Sequence, residues 1–231
     1  MKLYIAIVCV IINFHAKIYS QDFNKLQIFT ENNPPYVTLD TNNKISGEIG
    51  NQVVKILKKL NISPNKINVF PWARAYVEAA KGKNTLIFPL VKTKDRMKIF
   101  QYPILAFKQN FNFYKLKSSK NINLKSIEDA KKYSTCVVRH DARHDYLLGF
   151  NFKNLEITTE QTTNVQKFVN NRCDLIIETD EGIDAKLKEL KSDKSIVEIA
   201  IEAKQFDGNL YIAFNLNTDP KIVDAFKKAS K

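Results

Sequence analysis

Glycine and proline are scarce. Six Gly and seven Pro in 231 residues exclude collagen-like and low-complexity classes. They also leave no glycine-rich phosphate loop of either usual kind. Three Cys cannot build a disulfide scaffold or a four-cysteine metal site. Arginine is rare too: of 36 basic residues, five are Arg and 31 are Lys. The net charge of +12 therefore lacks the guanidinium forks that phosphate and base-edge readers prefer. It is spread along the chain rather than blocked, which reads as a basic surface with no nucleic-acid partner. Beyond the first twenty residues no apolar run approaches the ~20 residues of a spanning helix. What is present is ordinary for a globular chain, with 44% hydrophobic and 26% charged residues. That balance argues against wholesale disorder, and the length suits one large domain or two small ones.

The first twenty residues read as a separate segment. Met1-Lys2 opens a run from Leu3 to Phe14 that is apolar except for Asn13, and a more polar stretch from His15 to Ser20 follows. A positive start, an apolar core of about 7–15 residues and a small residue at the end describe a secretory signal peptide. The run is short for a membrane anchor, and Cys9 lacks the small residues expected before a lipidated cysteine. Cleavage after Ser20 makes Gln21 the mature N-terminus of an exported, soluble protein. Cys9 leaves with the signal, so Cys136 and Cys173 remain in a compartment where disulfides persist. Each begins a short apolar run, Cys136-Val-Val and Cys173-Asp-Leu-Ile-Ile. If those runs are adjacent parallel strands, the sulfurs meet; otherwise both are buried thiols acting as small hydrophobes.

Two α/β series follow. Leu26 to Thr30 reads as a strand, and Glu31-Asn-Asn-Pro-Pro35 as a turn. From Gly47 to Leu60, Ile49, Val53, Val54, Ile56, Leu57 and Leu60 make one apolar helical face, with Lys55, Lys58 and Lys59 opposite. Ile67 to Phe70 is a second strand. Pro71 suits the first position of a helix that Gly82 closes. Thr85 to Phe88 is a third strand, and Thr93-Lys-Asp-Arg96 starts a short helix. Strand, helix, strand, helix, strand predicts a right-handed parallel sheet. The pattern restarts with strands at 109–116, 135–138, 155–158 and 173–177. Helices are expected at 126–132, 142–148, 163–171 and 182–190. Ile196 to Ile201 is extended, Leu210 to Phe214 is a last strand and Asp219 to Ala229 a last helix. No linker rich in Gly, Ser or Pro separates the series, so extended strands are expected to cross between lobes.

The order of these segments resembles the periplasmic solute-binding proteins of the amino-acid ABC-transport class, family 3. The matching segments are Asn33-Pro-Pro-Tyr36, Gly47-Glu-Ile with its helix, and Pro71-Trp-Ala-Arg-Ala-Tyr76. Thr93-Lys-Asp-Arg96 before Phe100-Gln-Tyr-Pro103, Asn171-Arg-Cys-Asp-Leu-Ile-Ile177 and Asp207-Gly-Asn-Leu-Tyr-Ile-Ala-Phe214 continue it. The resemblance spans nearly the whole mature chain and rests on order and spacing rather than on any one segment. It implies two α/β lobes, each a mostly parallel sheet flanked by helices, joined by two crossover strands with ligand in the cleft. Lobe 1 is then residues 21–108 and 210–231, and lobe 2 is residues 109–209.

Arg96 falls where the family's carboxylate-binding Arg lies. A planar guanidinium pairs a carboxylate through two parallel hydrogen bonds. Thr93 adds a hydroxyl, and the helix start adds free N–H groups. Tyr36 follows Pro34-Pro35, where the family places a cleft aromatic, and Trp72 begins a helix at a strand end, where open α/β sheets bind ligands. Pro89, Leu90 and Val91 line the approach with backbone groups. In lobe 2, Arg139 opens a helix after a strand and is expected to hold a second acidic group. His140 and His144, one turn apart, read as a solvated face with no third ligand and no metal. The family's amino-binding Asp is replaced by Thr179, with Asp180 one residue late.

The leading expectation is a non-catalytic, monomeric protein. It captures a small polar, carboxylate-bearing solute without a cofactor and delivers it to an ABC permease. One alternative is an enzyme on the same scaffold, since the family includes a dehydratase branch; Glu178 or Asp180 is then the proton carrier. Another is a sensing module for a membrane receptor.

Overall fold

The computed structural model describes residues 23–42, 44–204 and 206–231. The segment read as a signal peptide, with its cleavage after Ser20, lies outside the described residues. Among those residues, no helix is long and apolar enough to cross a membrane.

The first part of the chain supplies β1 (Gln27–Thr30), a small hairpin of β2 (Thr38–Leu39) and β3 (Ile45–Ser46), and α1 (Glu48–Lys59). Next come β4 (Ile67–Val69), α2 (Trp72–Lys81), β5 (Thr85–Val91) and β6 (Phe100–Phe107). The second part supplies β7 (Asn112–Leu116), α3 (Ile127–Ala130), β8 (Thr135–Val138), α4 (Ala142–Gly149) and β9 (Leu155–Thr158). It continues with α5 (Gln161–Val169), β10 (Leu175–Glu178), α6 (Asp180–Glu189) and β11 (Val197–Glu202). β12 (Leu210–Asn215) and α7 (Pro220–Ala229) close the chain.

Two five-stranded sheets result, ordered β4-β1-β5-β12-β6 and β11-β7-β10-β8-β9. β1 pairs in parallel with β4 and β5, and β8 pairs in parallel with β9 and β10. The other pairings are antiparallel, so both sheets are mixed where a mostly parallel arrangement was expected. The antiparallel strands sit where the chain changes lobe. β6 leads out of the first sheet and β12 leads back in, so the two must oppose each other. β7 and β11 do the same in the second sheet.

α1 follows its periodicity, burying Ile49, Val53, Ile56 and Leu57 while its lysines face solvent. These residues join Ile28, Leu86, Phe88, Phe214 and Phe226 in the core of the first lobe. The second lobe packs Phe113, Val137, Leu147, Phe152 and Leu175 on one face of its sheet. Val165, Phe168, Ile176 and Ile183 gather in a second cluster. β8 and β10 are neighbours, with Ile176 opposite Cys136. Cys136 and Cys173 are accordingly joined by a disulfide, their Cα atoms 5.7 Å apart.

One glycine matters for the site. Gly47 has φ 86°, a left-handed conformation that favours glycine, and an added Cβ would lie 2.6 Å from the Pro35 carbonyl oxygen. This close approach lets the Ile49 and Gly50 N–H groups donate to the Tyr36 carbonyl at 2.9 and 3.0 Å. The start of α1 thereby fixes the turn that carries Tyr36.

Candidate functional site

Both sheets direct the C-terminal ends of their parallel strands at one seam, where open α/β sheets bind ligands. A cavity of about 30 Å³ lies there. Glu31 follows β1 into it, Trp72 follows β4, and Val91 ends β5. From the second lobe, Asp141, Ala142 and Arg143 follow β8, and Glu178 ends β10. The cavity has room for a water or two, so the lobes are closed upon their own side chains. A larger groove of about 670 Å³ lies away from the seam. Leu39, Ile45, Val54, Ile67 and Val69 line it together with two lysines. Asn42 and Asn65 also line it, and all of the lining comes from the first lobe, so it lies outside the cleft between the lobes.

On the first-lobe side, Arg96 is 2% exposed. Its Nη1 donates to the Val91 carbonyl at 3.1 Å, and its Nη2 donates to the His140 carbonyl at 2.7 Å. Asp145 lies 3.7 Å from Nη2. The guanidinium also faces the Tyr76 and Trp72 rings, 5.2 and 5.8 Å from their centroids. Arg96 Nε has no partner among the described residues, nor do Asn33 Oδ1 and Gln109 Oε1. All three residues line the cavity. Thr93 does not reach it; its hydroxyl accepts the Arg96 backbone N–H at 3.2 Å and so starts the 3-10 turn that carries Arg96.

On the second-lobe side lies a buried charge network. All five N–H donors of Arg143 are used. Nε and Nη2 fork onto the Asp141 carboxylate at 2.7 and 2.8 Å. Nη2 also donates to Gln161 Oε1 at 2.6 Å. Nη1 donates to Glu178 Oε2 at 2.8 Å and to the Ile177 carbonyl at 3.3 Å. Lys186 completes the set, its Nζ 3.1 Å from Glu178 Oε2. Two cations thus balance two carboxylates. Burial alone would raise both acids, but the Arg143 charge overrides it and holds Asp141 and Glu178 below the usual carboxylate range. Glu31 has no such counter-charge of its own. Burial, with the Asp141 charge beside it, pushes its carboxyl up to about 8, so it is largely protonated at neutral pH.

Several contacts fasten the lobes together. The Tyr36 hydroxyl and Thr179 Oγ1 are 2.7 Å apart. Trp72 Nε1 donates to the His140 carbonyl at 2.9 Å, alongside the Arg96 bond. Lys186 Nζ donates to the Pro34 carbonyl at 3.3 Å, and Gln161 Nε2 donates to Glu31 Oε1 at 3.4 Å. The His140 ring stacks on Tyr76, with centroids 5.6 Å apart. Its left-handed φ of 61° accompanies a carbonyl that serves two donors from the other lobe.

Of the residues singled out by sequence, Arg96, Tyr36 and Trp72 meet at the cavity. Arg139 and Asp180 are exposed and are not among the residues lining it. Asp180 binds Lys194 at 2.5 Å and the Tyr114 hydroxyl at 3.1 Å. Thr179 caps α6 through the Gly182 N–H. Sequence reasoning did not assign roles to Arg143, Asp141, Lys186, Gln161 or Glu31. A signal existed for Glu178 and Lys186: an acid ending a wholly apolar strand, then a lysine two helical turns on, on the buried face of α6.

No family model matches the sequence, and no curated protein does. Solved structures match over most of the chain. A histidine kinase sensor domain described as similar to periplasmic binding proteins superposes with TM-score 0.73 at 12% identity, covering 89% of each chain. An ancestral arginine-binding protein bound to arginine gives TM-score 0.73 at 18% identity, covering 89% of this chain and 90% of that one. The substrate-binding protein of an amino acid ABC transporter gives 0.72 at 15% identity, with 89% and 91% covered. The chain has the two-lobed periplasmic-binding-protein fold.

Proposed function

We propose that this chain is an exported binding protein that closes its two lobes over a small carboxylate-bearing solute and presents it to an ABC permease. The observation that carries this reading is the trio of Arg96 Nε, Asn33 Oδ1 and Gln109 Oε1, unpartnered around one cavity. A buried polar group without a partner costs about 1–3 kcal/mol, so such groups mark where an outside molecule completes the bonding. The lobes, residues 21–108 with 210–231 and residues 109–209, part at the two crossings. A ligand carboxylate then takes the place of the His140 carbonyl on Arg96, and closure buries it. The solved structures of binding proteins with this fold support the reading.

Neither acid that the dehydratase alternative named is free to carry a proton. Glu178 is held ionised between Arg143 and Lys186, and Asp180 is exposed and paired with Lys194. Sensing is the second reading, supported by the likeness to a kinase sensor domain; ligand-dependent crosslinking to a receptor rather than a permease would favour it. The test of the site is a thermal-shift screen of organic and amino acids, followed by calorimetry. Arg96→Lys keeps charge but loses the fork, and is expected to bind on the order of tenfold more weakly. Arg96→Ala is expected to bind more weakly still, with circular dichroism as the folding control. Undiminished binding by Arg96→Ala would refute the carboxylate role.

A further inference from the structure

The second-lobe half of the cavity is occupied by the chain itself. Arg143 is 6% exposed, and every atom it donates to belongs to the second lobe: Asp141, Gln161, Ile177 and Glu178. Phe111 lies 5.5 Å from the guanidinium carbon, measured to the ring centroid. Two carboxylates, an amide oxygen and an aromatic wall form a receptor for a planar cation, and Arg143 sits in it as a tethered ligand. Lys186 shares Glu178 Oε2 with Arg143, and Glu178 Oε1 accepts the Thr179 N–H. No carboxylate that lines the cavity and carries charge at neutral pH is left for a cation from outside, because Glu31 keeps its proton.

The geometry points to Arg143 as a specificity-determining residue: it fills the cation subsite of lobe 2 and selects ligands that bring no ammonium group there. What the cavity leaves unpartnered is one guanidinium donor, Arg96 Nε, and two neutral amide oxygens, Asn33 Oδ1 and Gln109 Oε1. Arg96 Nε matches a carboxylate. The amide oxygens accept from any donor, but with Asp141 and Glu178 already paired an ammonium group there would lose its hydration without a counter-charge, which a hydroxyl does not need. The ligand class is therefore a small hydroxylated carboxylic acid rather than an amino acid. This ligand class rests on the carboxylate reading of Arg96; the occupancy of the subsite by Arg143 does not.

The test separates the two. Arg143→Ala empties the receptor while leaving Asp141, Gln161 and Glu178. Millimolar ethylguanidinium chloride should raise the melting temperature of this variant by about 3 °C or more relative to equal sodium chloride, by mass action. The parent chain and Arg143→Lys, which keep a tethered cation, should not respond. Equal response of variant and parent overturns the proposal. If Arg143→Ala does not fold in buffer, its recovery on refolding with ethylguanidinium, and not with sodium, is the same readout, and no recovery overturns it. On the parent chain, L-lactate against L-alanine and L-malate against L-aspartate give matched pairs. In any pair that binds, the hydroxy acid should be about tenfold tighter or more, and an amino acid bound as tightly refutes the selectivity. If no carboxylate binds while guanidinium rescue succeeds, the Arg96 reading fails and the Arg143 assignment stands.

Discussion

Glu31→Gln isolates the one acid of the seam that has no dedicated counter-charge. In the folded chain its carboxyl keeps its proton to about pH 8, mainly because it is buried and secondarily because Asp141 is near. Arg143, Lys186 and Gln161 oppose that shift without cancelling it. In the unfolded chain it titrates near its ordinary 4.5. Between those values the folded state binds more protons than the unfolded one, so stability falls as pH rises. The contribution is complete below about 4.5 and gone above about 8. Each pH unit within the window is worth up to about 1.4 kcal/mol. That makes about 4 kcal/mol between pH 5 and 8, or on the order of 10 °C of melting temperature for a domain of this size. The glutamine side chain of the variant would keep the acceptor for Gln161 and remove the titration. Melting curves of parent and variant should coincide near pH 5 and separate steadily toward pH 8.5, the parent becoming the less stable. Asp141 and Glu178 work in the opposite sense. Their depressed values give stability that is present above the ordinary carboxylate range and lost as pH falls through it, equally in both chains. A difference curve that stays flat from pH 5 to 9 would refute the reasoning.

Three further outcomes are expected. Replacing Cys136 and Cys173 by Ala opens a loop whose ends are 37 residues apart; by chain entropy this costs about 4 kcal/mol, seen as an earlier urea midpoint, and alkylation without reductant should leave Cys136 and Cys173 unmodified in the parent. Gly47→Ala forces a Cβ against the Pro35 carbonyl at a left-handed φ, so it should destabilise by about 2 kcal/mol or more and weaken ligand binding through the displaced Tyr36 turn. Tyr36→Phe removes a cross-lobe bond of 2.7 Å worth about 1 kcal/mol, so ligand affinity should fall about fivefold with the melting temperature of each lobe's core little changed; equal affinity would mean that this bond does not contribute to closure.

Much of the fold is visible in the sequence because local pattern and tertiary burial agree. α1 spans Glu48–Lys59 where its apolar stripe predicted Gly47 to Leu60, and β8 and β9 fall on the residues expected. The misses have physical causes. β6 went unread because Gln101, Tyr102 and Pro103 interrupt its apolar run, and Pro is disfavoured inside strands. Pro103 is tolerated because β6 is an edge strand. β5 runs three residues past the predicted Phe88, through Pro89 to Val91, carrying the carbonyl that holds Arg96. The β2–β3 hairpin was missed because each strand is two residues long.

The site is less legible, since a buried charge and an exposed one look alike in sequence. Arg96 is singled out by the resemblance, which places the family's carboxylate-binding Arg three residues after Thr93. Arg143 is the second residue of α4, among charged residues that read as a solvated face. Only the fold reveals that Ala142, Arg143 and Leu147 point inward while Arg139 and His140 are exposed. Asp180 illustrates the converse: it is near the expected position in sequence, yet one residue of helix rotation, about 100°, carries it away from the seam toward Lys194.

The placement of these charges bears on why they are there. Buried ion pairs are a weak source of stability, because desolvation offsets much of their attraction, and well-packed apolar groups often do as well. The second lobe nevertheless buries Arg143, Lys186, Asp141 and Glu178 at the seam, with Arg143 against the Phe111 ring. At the seam, this network fixes the electrostatics that an incoming molecule meets: a neutralised second lobe facing the Arg96 guanidinium of the first. On the carboxylate reading, a ligand oxygen meets the one Arg96 donor left without a partner, Nε. An additional cation finds the Asp141 and Glu178 carboxylates already paired, and would lose its hydration without gaining either as a counter-charge.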